Sequence, residues 1–115
     1  MRLCVCCVKV VFRFLKKTAH AGSATSQMSP HAWEKQLREE GFSRTYVWQD
    51  HAHASYPDHT HATETAHIIL EGEMTLTMSG QTRTFRAGER CDVPAGAVHS
   101  ARMGSNGCRY LIGER

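Results

Sequence analysis

The chain has 115 residues, 41% of them hydrophobic, and a formal net charge of +3, which is typical of one folded domain with a modest core. The first 33 residues contain five basic residues and no acidic one, so the rest of the chain is slightly acidic. This distribution argues against a nucleic-acid-binding surface in the folded part. No apolar run reaches the ~18 residues that a membrane-spanning helix needs, so we expect no membrane partner.

Residues 1–27 differ in composition from the rest of the chain. They begin with the apolar and basic run MRLCVCCVKVVFRFLKK and continue with the small, polar run TAHAGSATSQ. This composition is typical of an organellar transit peptide. It is also compatible with an extension upstream of a natural start at Met28, or with an extra edge strand in VCCVKVVFRF. We therefore predict a single domain at 28–115, in a cytoplasmic protein, or in a mitochondrial one if the leader is a transit peptide.

From Ser29 onward the pattern predicts one helix followed only by strands. Ser29 and Pro30 form a helix-start signal and Gly41 a stop signal, which predicts a short helix over about 30–40. Short strand-like segments separated by turn residues follow: SRTYVWQD, TAHIILEGE, MTLTMSG, QTRTFRAGE, RCDVPAG, VHSARMG and CRYLIGE. No helical pattern follows any strand, so we predict an all-β sandwich or barrel with an N-terminal helix.

The cysteines divide between the leader and the domain. Cys4, Cys6 and Cys7 lie in the leader, whereas Cys91 and Cys108 lie in the domain. The number is odd, and CVCC has no matching second half for a zinc site. We therefore predict reduced, buried thiols in the domain rather than disulfides.

Five of the eight histidines fall between positions 51 and 67. His59, His61 and His67 share odd parity with Thr65, so an extended chain would project all four side chains to one face. A His-x-His pair on one face supplies two imidazole nitrogens to a transition metal. The spacing therefore predicts a metal site on this face.

A second segment, GERCDVPAGAVHSARM at 88–103, adds another histidine. Gly88, Pro94, Gly96 and His99 match the spacing G-x5-P-x-G-x2-H, and His59, His61 and Gly72 match most of G-x5-H-x-H-x(3,4)-E-x6-G. Together, over about 45–112, these segments resemble the two motifs of the cupin superfamily. The resemblance implies a small double-stranded β-helix, or jelly-roll, barrel in which His99 meets the His-x-His pair across the cavity.

Three positions depart from the family's motifs. His53 stands where the first motif has glycine, Thr65 where it has the glutamate ligand, and Met103 where the second has asparagine. Glu64 lies one residue before the glutamate position, so a bulge would be needed to turn it inward. Three completions of the metal shell are open at this point: Glu64 through such a bulge, His67, or water beside three histidines.

The resemblance implies one divalent transition metal (Fe, Mn, Ni, Cu or Zn) held by His59, His61 and His99, with Glu64 as a further candidate ligand. It favours a metal-dependent dioxygenase, isomerase or lyase acting on a small organic molecule, with an anionic substrate expected because the carboxylate ligand is missing. His67 is the candidate catalytic acid or base, on the expectation that its pKa lies near neutrality. A non-catalytic binding or sensing module and a purely structural metal are the alternatives, and a homodimer is expected in each case.

Overall fold

The computed structural model describes residues 28–115, and the interpretations of residues 1–27 lie outside that range. In this described part, one helix precedes six strands: α1 (Pro30–Glu39), β1 (Arg44–Asp50), β2 (Ser55–His59), β3 (Thr65–Met78), β4 (Gln81–Arg86), β5 (Arg90–Val93) and β6 (His99–Glu114). All the pairings between strands are antiparallel. The prediction of an all-β fold with one N-terminal helix is confirmed.

Helix α1 begins and ends where the sequence signals predict. The Ser29 side chain caps it by accepting a hydrogen bond from the Ala32 amide, and Pro30 occupies the first turn. Gly41 follows the helix with a φ of +100°, a conformation that glycine adopts without strain. The helix buries Leu37 against Phe42 and the outer face of the sheet. Within the described part of the chain, no helix has both the length and the apolar character to cross a membrane.

The two long strands, β3 and β6, form the centre of the sheet. β6 pairs with β1, β2 and β3, while β3 also pairs with β4 and β5. The sequence segments TAHIILEGE and MTLTMSG merge into the single strand β3, and VHSARMG and CRYLIGE merge into β6. The pairing register between β3 and β6 shifts at irregular positions within the strands. Different parts of each long strand therefore pair with different short strands.

The register shifts, which lie between Ile69 and Met74, change which residues of β3 face the interior. Before them, Ile69 packs in the main core; after them, Met74, Leu76 and Met78 do so, as their alternation predicts. Gly72 makes the bend feasible, since a Cβ at this residue would lie 2.1 Å from the Gly107 carbonyl oxygen. The glycine of the first histidine motif therefore allows β3 and β6 to approach closely.

The segment from His59 to His67 is not one extended strand, contrary to the prediction. Strand β2 ends at His59, where it pairs with His99, and β3 begins at Thr65, where it pairs with Glu114 at the opposite end of β6. The intervening turn carries the chain between these two ends. Strand β2 itself was missed because its polar composition resembles that of a loop.

Cys91 and Cys108 are free and buried, as predicted. Burial raises the pKa of both thiols, that of Cys108 to about 12. Neither sulfur is therefore a thiolate at neutral pH, and these cysteines act as small apolar core residues.

Candidate metal centre

Three histidines converge at one end of the barrel. His59 is the last residue of β2, His99 is the first of β6, and the strand register places them opposite each other. His61 lies in the turn that follows β2. One potential ligating nitrogen from each ring lies within 4.8 Å of the others, and the ring centroids of His59 and His99 are 4.2 Å apart. We call His59, His61 and His99 the histidine group.

Backbone carbonyls fix two of the three imidazoles. His59 Nδ1 lies 2.7 Å from the Pro57 carbonyl oxygen, and His99 Nδ1 lies 2.9 Å from that of Ala97. Because a carbonyl only accepts hydrogen bonds, each Nδ1 carries the proton and donates it, which leaves the Nε2 lone pair for a metal. The same device orients ligand histidines in many metal sites.

The Pro-x-Gly turn before β6 holds the third histidine as well. The Gly96 amide donates a hydrogen bond of 2.9 Å to the His61 carbonyl oxygen. Gly96 has a φ of +79°, which an L side chain rarely adopts, so glycine permits this turn. The turn therefore places His99 on its strand and also fixes the loop that carries His61.

The environment keeps two members of the histidine group neutral. Desolvation by burial lowers the pKa of His99 and of His61, and the neighbouring imidazoles lower both further. Neutral imidazole is the form that binds metals, so fewer protons compete for these nitrogens. The donor set of three imidazoles fits a divalent transition metal and does not fit calcium or magnesium, which prefer oxygen ligands.

Glu64 is not brought to the histidine group. Its carboxylate accepts a hydrogen bond of 2.9 Å from Arg115 Nε, and the two residues also exchange backbone hydrogen bonds of 3.0 Å. These interactions hold Glu64 outside the cavity, so the structure does not show the bulge that would turn it inward. Thr65, at the position of the family's glutamate, lines the cavity in its place.

His67 lies on the cavity wall, outside the histidine group. Its Nδ1 lies 3.4 Å from the Cys91 carbonyl oxygen, a long hydrogen bond. Burial lowers the pKa of His67 from 6.5 to about 4, because no acidic partner offsets the desolvation of the charged form. The expectation of a pKa near neutrality is therefore wrong, and His67 is a neutral imidazole at physiological pH.

The histidine group opens onto a cavity of about 700 Å³. Apolar side chains form much of its wall, among them Met74, Leu76, Met103 and Ile112. Met103, which replaces the family's asparagine, is 2% exposed and belongs to the main core. A cavity of this size and lining suits a small organic molecule with an apolar part.

A cluster of aromatic side chains centred on Asp50 was not recognised in the sequence as part of the site. Asp50 accepts hydrogen bonds from Trp48 Nε1 at 3.1 Å, from the Tyr56 hydroxyl at 2.6 Å and from the Tyr110 hydroxyl at 2.8 Å. All three donors line the cavity. The available signal was the alternation of Tyr46, Trp48 and Asp50 along one face of β1.

Solved structures similar to this one include cupin proteins and a DMSP lyase. The DMSP lyase DddQ from Ruegeria pomeroyi DSS-3 matches with a TM-score of 0.57 and 30% identity, over 62% of this chain and 36% of the lyase chain. A cupin-2 domain containing protein from Shewanella frigidimarina NCIMB 400 matches with a TM-score of 0.53 and 27% identity, over 61% of this chain and 67% of its own. KdgF from a Halomonas species shares the fold at 16% identity and a TM-score of 0.54, over 62% of this chain and 67% of its own.

The match to the lyase thus spans little more than a third of that protein's length. A search of curated proteins finds no match to this chain. The family model described as the cupin domain matches residues 46–112, which is more than half of the chain and includes both histidine motifs. The chain belongs to the cupin superfamily.

Proposed function

We propose that this protein is a metal-dependent enzyme that binds one divalent transition metal through His59, His61 and His99 and acts on a small organic molecule. The observation that carries the proposal is the convergence of three ligating nitrogens within 4.8 Å on the wall of a cavity. Iron, manganese, nickel, copper and zinc are all compatible with imidazole ligands. When bound, such a metal supplies a Lewis acid that polarises a substrate oxygen.

The side chains of this protein would orient the substrate and accept a proton. The apolar wall formed by Met74, Leu76 and Met103 would hold the carbon skeleton and exclude water. His67 is neutral, and its Nδ1 is directed to the Cys91 carbonyl, so its Nε2 lone pair is the free proton acceptor. We therefore assign His67 the role of a base rather than an acid.

Lyase chemistry is the reaction class that we favour. It is supported by the 30% identity to a protein named as a DMSP lyase, and it needs a metal and a base but no oxidant. A dioxygenase or an isomerase could use the same three nitrogen ligands, and each would differ in its requirement for oxygen and in its products. The activity of the relative itself belongs to a chain of which this one covers only 36%.

The proposal is tested by metal analysis of the purified protein, followed by removal of the metal and its restoration. We expect about one equivalent of a transition metal per chain. A panel of small organic acids would then be incubated with the metal-loaded and metal-free protein, with and without oxygen. Turnover that requires the metal but not oxygen supports the lyase assignment. Protein that retains no transition metal after purification and takes none up on addition would contradict the proposal.

A non-catalytic binding module is the second candidate function. It is favoured by the hydrogen bonds that the tyrosine hydroxyls of the cavity already make. Tyr46 donates to Glu114, and both Tyr56 and Tyr110 donate to Asp50. These hydroxyls are thereby less available for proton transfer. Metal-loaded protein that binds organic acids tightly without converting any of them would support this candidate over the enzyme.

The homodimer stays a prediction. Val47 and Trp48 on β1 are about half exposed, and β1 lies at the end of the order of the strands that the structure describes, a position from which strands can pair with another chain. Sedimentation velocity over a range of concentrations would show the dimer, and a monomer at every concentration would contradict it.

A further inference from the structure

One buried hydroxyl on the cavity wall has no hydrogen-bond partner. Thr65 is 3% exposed, and its Oγ1 is the one buried side-chain nitrogen or oxygen atom in residues 28–115 that makes no hydrogen bond. Other threonines of the same strand are paired, since Thr75 and Thr77 each bond a threonine of β4 at 2.8 Å. Buried hydroxyls are nearly always bonded, because an unpaired one costs free energy. The exception lies at the start of β3, on the wall of the cavity that the histidine group also lines.

The backbone of Thr65 is fixed on both sides. It pairs with Val93 of β5 and with Glu114 of β6, so the strand cannot shift to find a partner for the hydroxyl. The side chain can still respond, because a rotation about χ1 exchanges the hydroxyl and the methyl group, and strands accept more than one χ1 value. Since Thr65 lines the cavity, such a rotation turns the hydroxyl toward a bound molecule.

Thr65 supplies a hydrogen-bond donor where the neighbouring imidazoles do not. The Nδ1 protons of His59, His99 and His67 are directed to backbone carbonyls. Their remaining nitrogens carry lone pairs, which hold a metal or accept protons. A ligand group that lies against Thr65 is therefore expected to be a hydrogen-bond acceptor.

The charges around the cavity indicate which chemical class of hydrogen-bond acceptor a ligand would present to Thr65. Glu64 pairs with Arg115 outside the cavity. The cavity-lining Glu114 is engaged by Tyr46 and Arg44. No carboxylate therefore joins the histidine group to offset the charge of a bound metal ion. An anionic oxygen would offset it. Arg44 is the one lysine or arginine among the described residues that line the cavity, and its largely exposed side chain already faces Glu114 at 3.8 Å. A phosphate group, which usually needs several basic side chains, is therefore disfavoured relative to a carboxylate.

We propose that Thr65 donates a hydrogen bond to the carboxylate of a small ligand with an apolar chain, and that this contact selects carboxylates over neutral analogues. The inference rests on the proposed metal site and names the substrate class of that site. The carboxylate lies beside the histidine group, and the apolar chain lies along Met74, Leu76 and Met103. Binding gives the Thr65 hydroxyl the partner that the free protein does not provide.

The test is calorimetric titration of the zinc-loaded full chain with butanoate, butanamide and inorganic phosphate. We expect butanoate to bind most tightly, because it is the one probe that combines a carboxylate with an apolar chain. Thr65→Val removes the hydroxyl at nearly constant shape and should weaken butanoate binding about tenfold, whereas Thr65→Ser should retain it. The control variant Thr77→Val alters a threonine of the same strand outside the cavity and should leave the affinity unchanged. Metal-free Thr65→Val should also melt at a higher temperature than the original chain, because it no longer buries an unpaired hydroxyl.

The zinc content of each variant is measured first. It distinguishes a failure of the proposed metal site from a failure of the proposed role of Thr65. If Thr65→Val binds a full equivalent of zinc and its affinity for butanoate lies within twofold of that of the original chain, the proposed role of Thr65 is wrong. The proposed metal site is then unaffected. Tighter binding of phosphate or butanamide than of butanoate would overturn the substrate class. An original chain that takes up no zinc would overturn the proposed function, and the role of Thr65 with it. If Thr65→Val does not fold, the butanoate affinities of Thr65→Ala and Thr65→Ser are compared instead. Equal affinities of these two variants would overturn the role of Thr65.

Discussion

The two sides of strand β3 bury polar groups in opposite ways. On the side that faces α1, Arg90 is 7% exposed and lies between two carboxylates. Its Nε and Nη2 donate to Asp92 at 2.7 and 2.9 Å, and its Nη1 and Nη2 donate to Glu40 at 3.0 and 2.8 Å. We call these three residues the helix-side network. Both carboxylates are bound in bidentate geometry, and burial of the charges is offset by four charge-assisted hydrogen bonds.

On the cavity side, several buried or half-buried polar groups are left with unused bonding capacity. His59 and His99 each retain a free Nε2, His67 is held neutral without an acidic partner, and the Thr65 hydroxyl is unpaired. Asp50, which accepts three hydrogen bonds from side chains of the cavity wall, is the compensated group on this side, but these four residues have no comparable set of partners. The difference indicates that the helix-side network stabilises the barrel, whereas the unused bonding capacity of the cavity side supports the ligand binding that we propose.

The largest expected effect on stability comes from removing the arginine of the helix-side network. Arg90→Met should lower the free energy of unfolding by about 3–5 kcal/mol, because it leaves Asp92 buried without its counter-ion. Urea denaturation followed by circular dichroism measures the loss. The matched control is Arg109→Met, which breaks an ion pair with the exposed carboxylate of Glu71 and should cost less than about 1 kcal/mol. Equal losses in the two variants would show that the network is not a special source of stability.

The second prediction concerns the uncompensated His67. Its folded pKa of about 4 lies below its unfolded value of 6.5, so between these pH values the unfolded chain binds a proton that the folded chain does not. Stability is therefore highest above pH 6.5 and falls as the pH drops toward 4, by about 3 kcal/mol from this residue. In the metal-free protein, His67→Gln should flatten the decline measured by thermal melting across this range. A decline as steep in the variant as in the original chain would mean that His67 is not buried as a neutral group.

The smallest effect is expected at His53, an exposed turn residue between β1 and β2. His53 occupies the position of the family's first-motif glycine and keeps a glycine-like φ of 60°. His53→Gly should therefore stabilise the protein by about 0.5–1 kcal/mol, despite the greater freedom of glycine in the unfolded chain. His51→Gly, two residues away and without a positive φ, should instead lower stability. A loss at both positions would show that the backbone at His53 is not strained.

The fold could be predicted because its signals are local. Ser29 and Gly41 bound the helix, the alternation of Met74, Leu76 and Met78 marks a core face, and the two histidine motifs indicate the barrel. The convergence of His59, His61 and His99 could be predicted from the resemblance of the two motifs to those of the cupins. The merging of segments into β3 and β6 could not be predicted, because it depends on the close approach of Gly72 and Gly107.

The chemistry of single groups depends on contacts distant in sequence. The position of Glu64 is set by Arg115 at the end of the chain, and the pKa of His67 is set by burial within the barrel. The Asp50 cluster is formed by side chains of β1, β2 and β6. No local pattern specifies these contacts, which explains why the expected pKa of His67 was wrong and why Asp50 was not recognised.

The central claim is that three histidines alone provide the protein's ligands to the metal. The most direct test is the metal content after dialysis of the original chain and of four variants: His59→Ala, His99→Ala, Glu64→Ala and His67→Ala. The original chain, Glu64→Ala and His67→Ala should each retain about one equivalent of metal, whereas His59→Ala and His99→Ala should lose it, because two imidazoles bind too weakly to survive dialysis. Loss of the metal in Glu64→Ala or His67→Ala as complete as in His99→Ala would contradict this claim, because it would identify that residue as a fourth protein ligand.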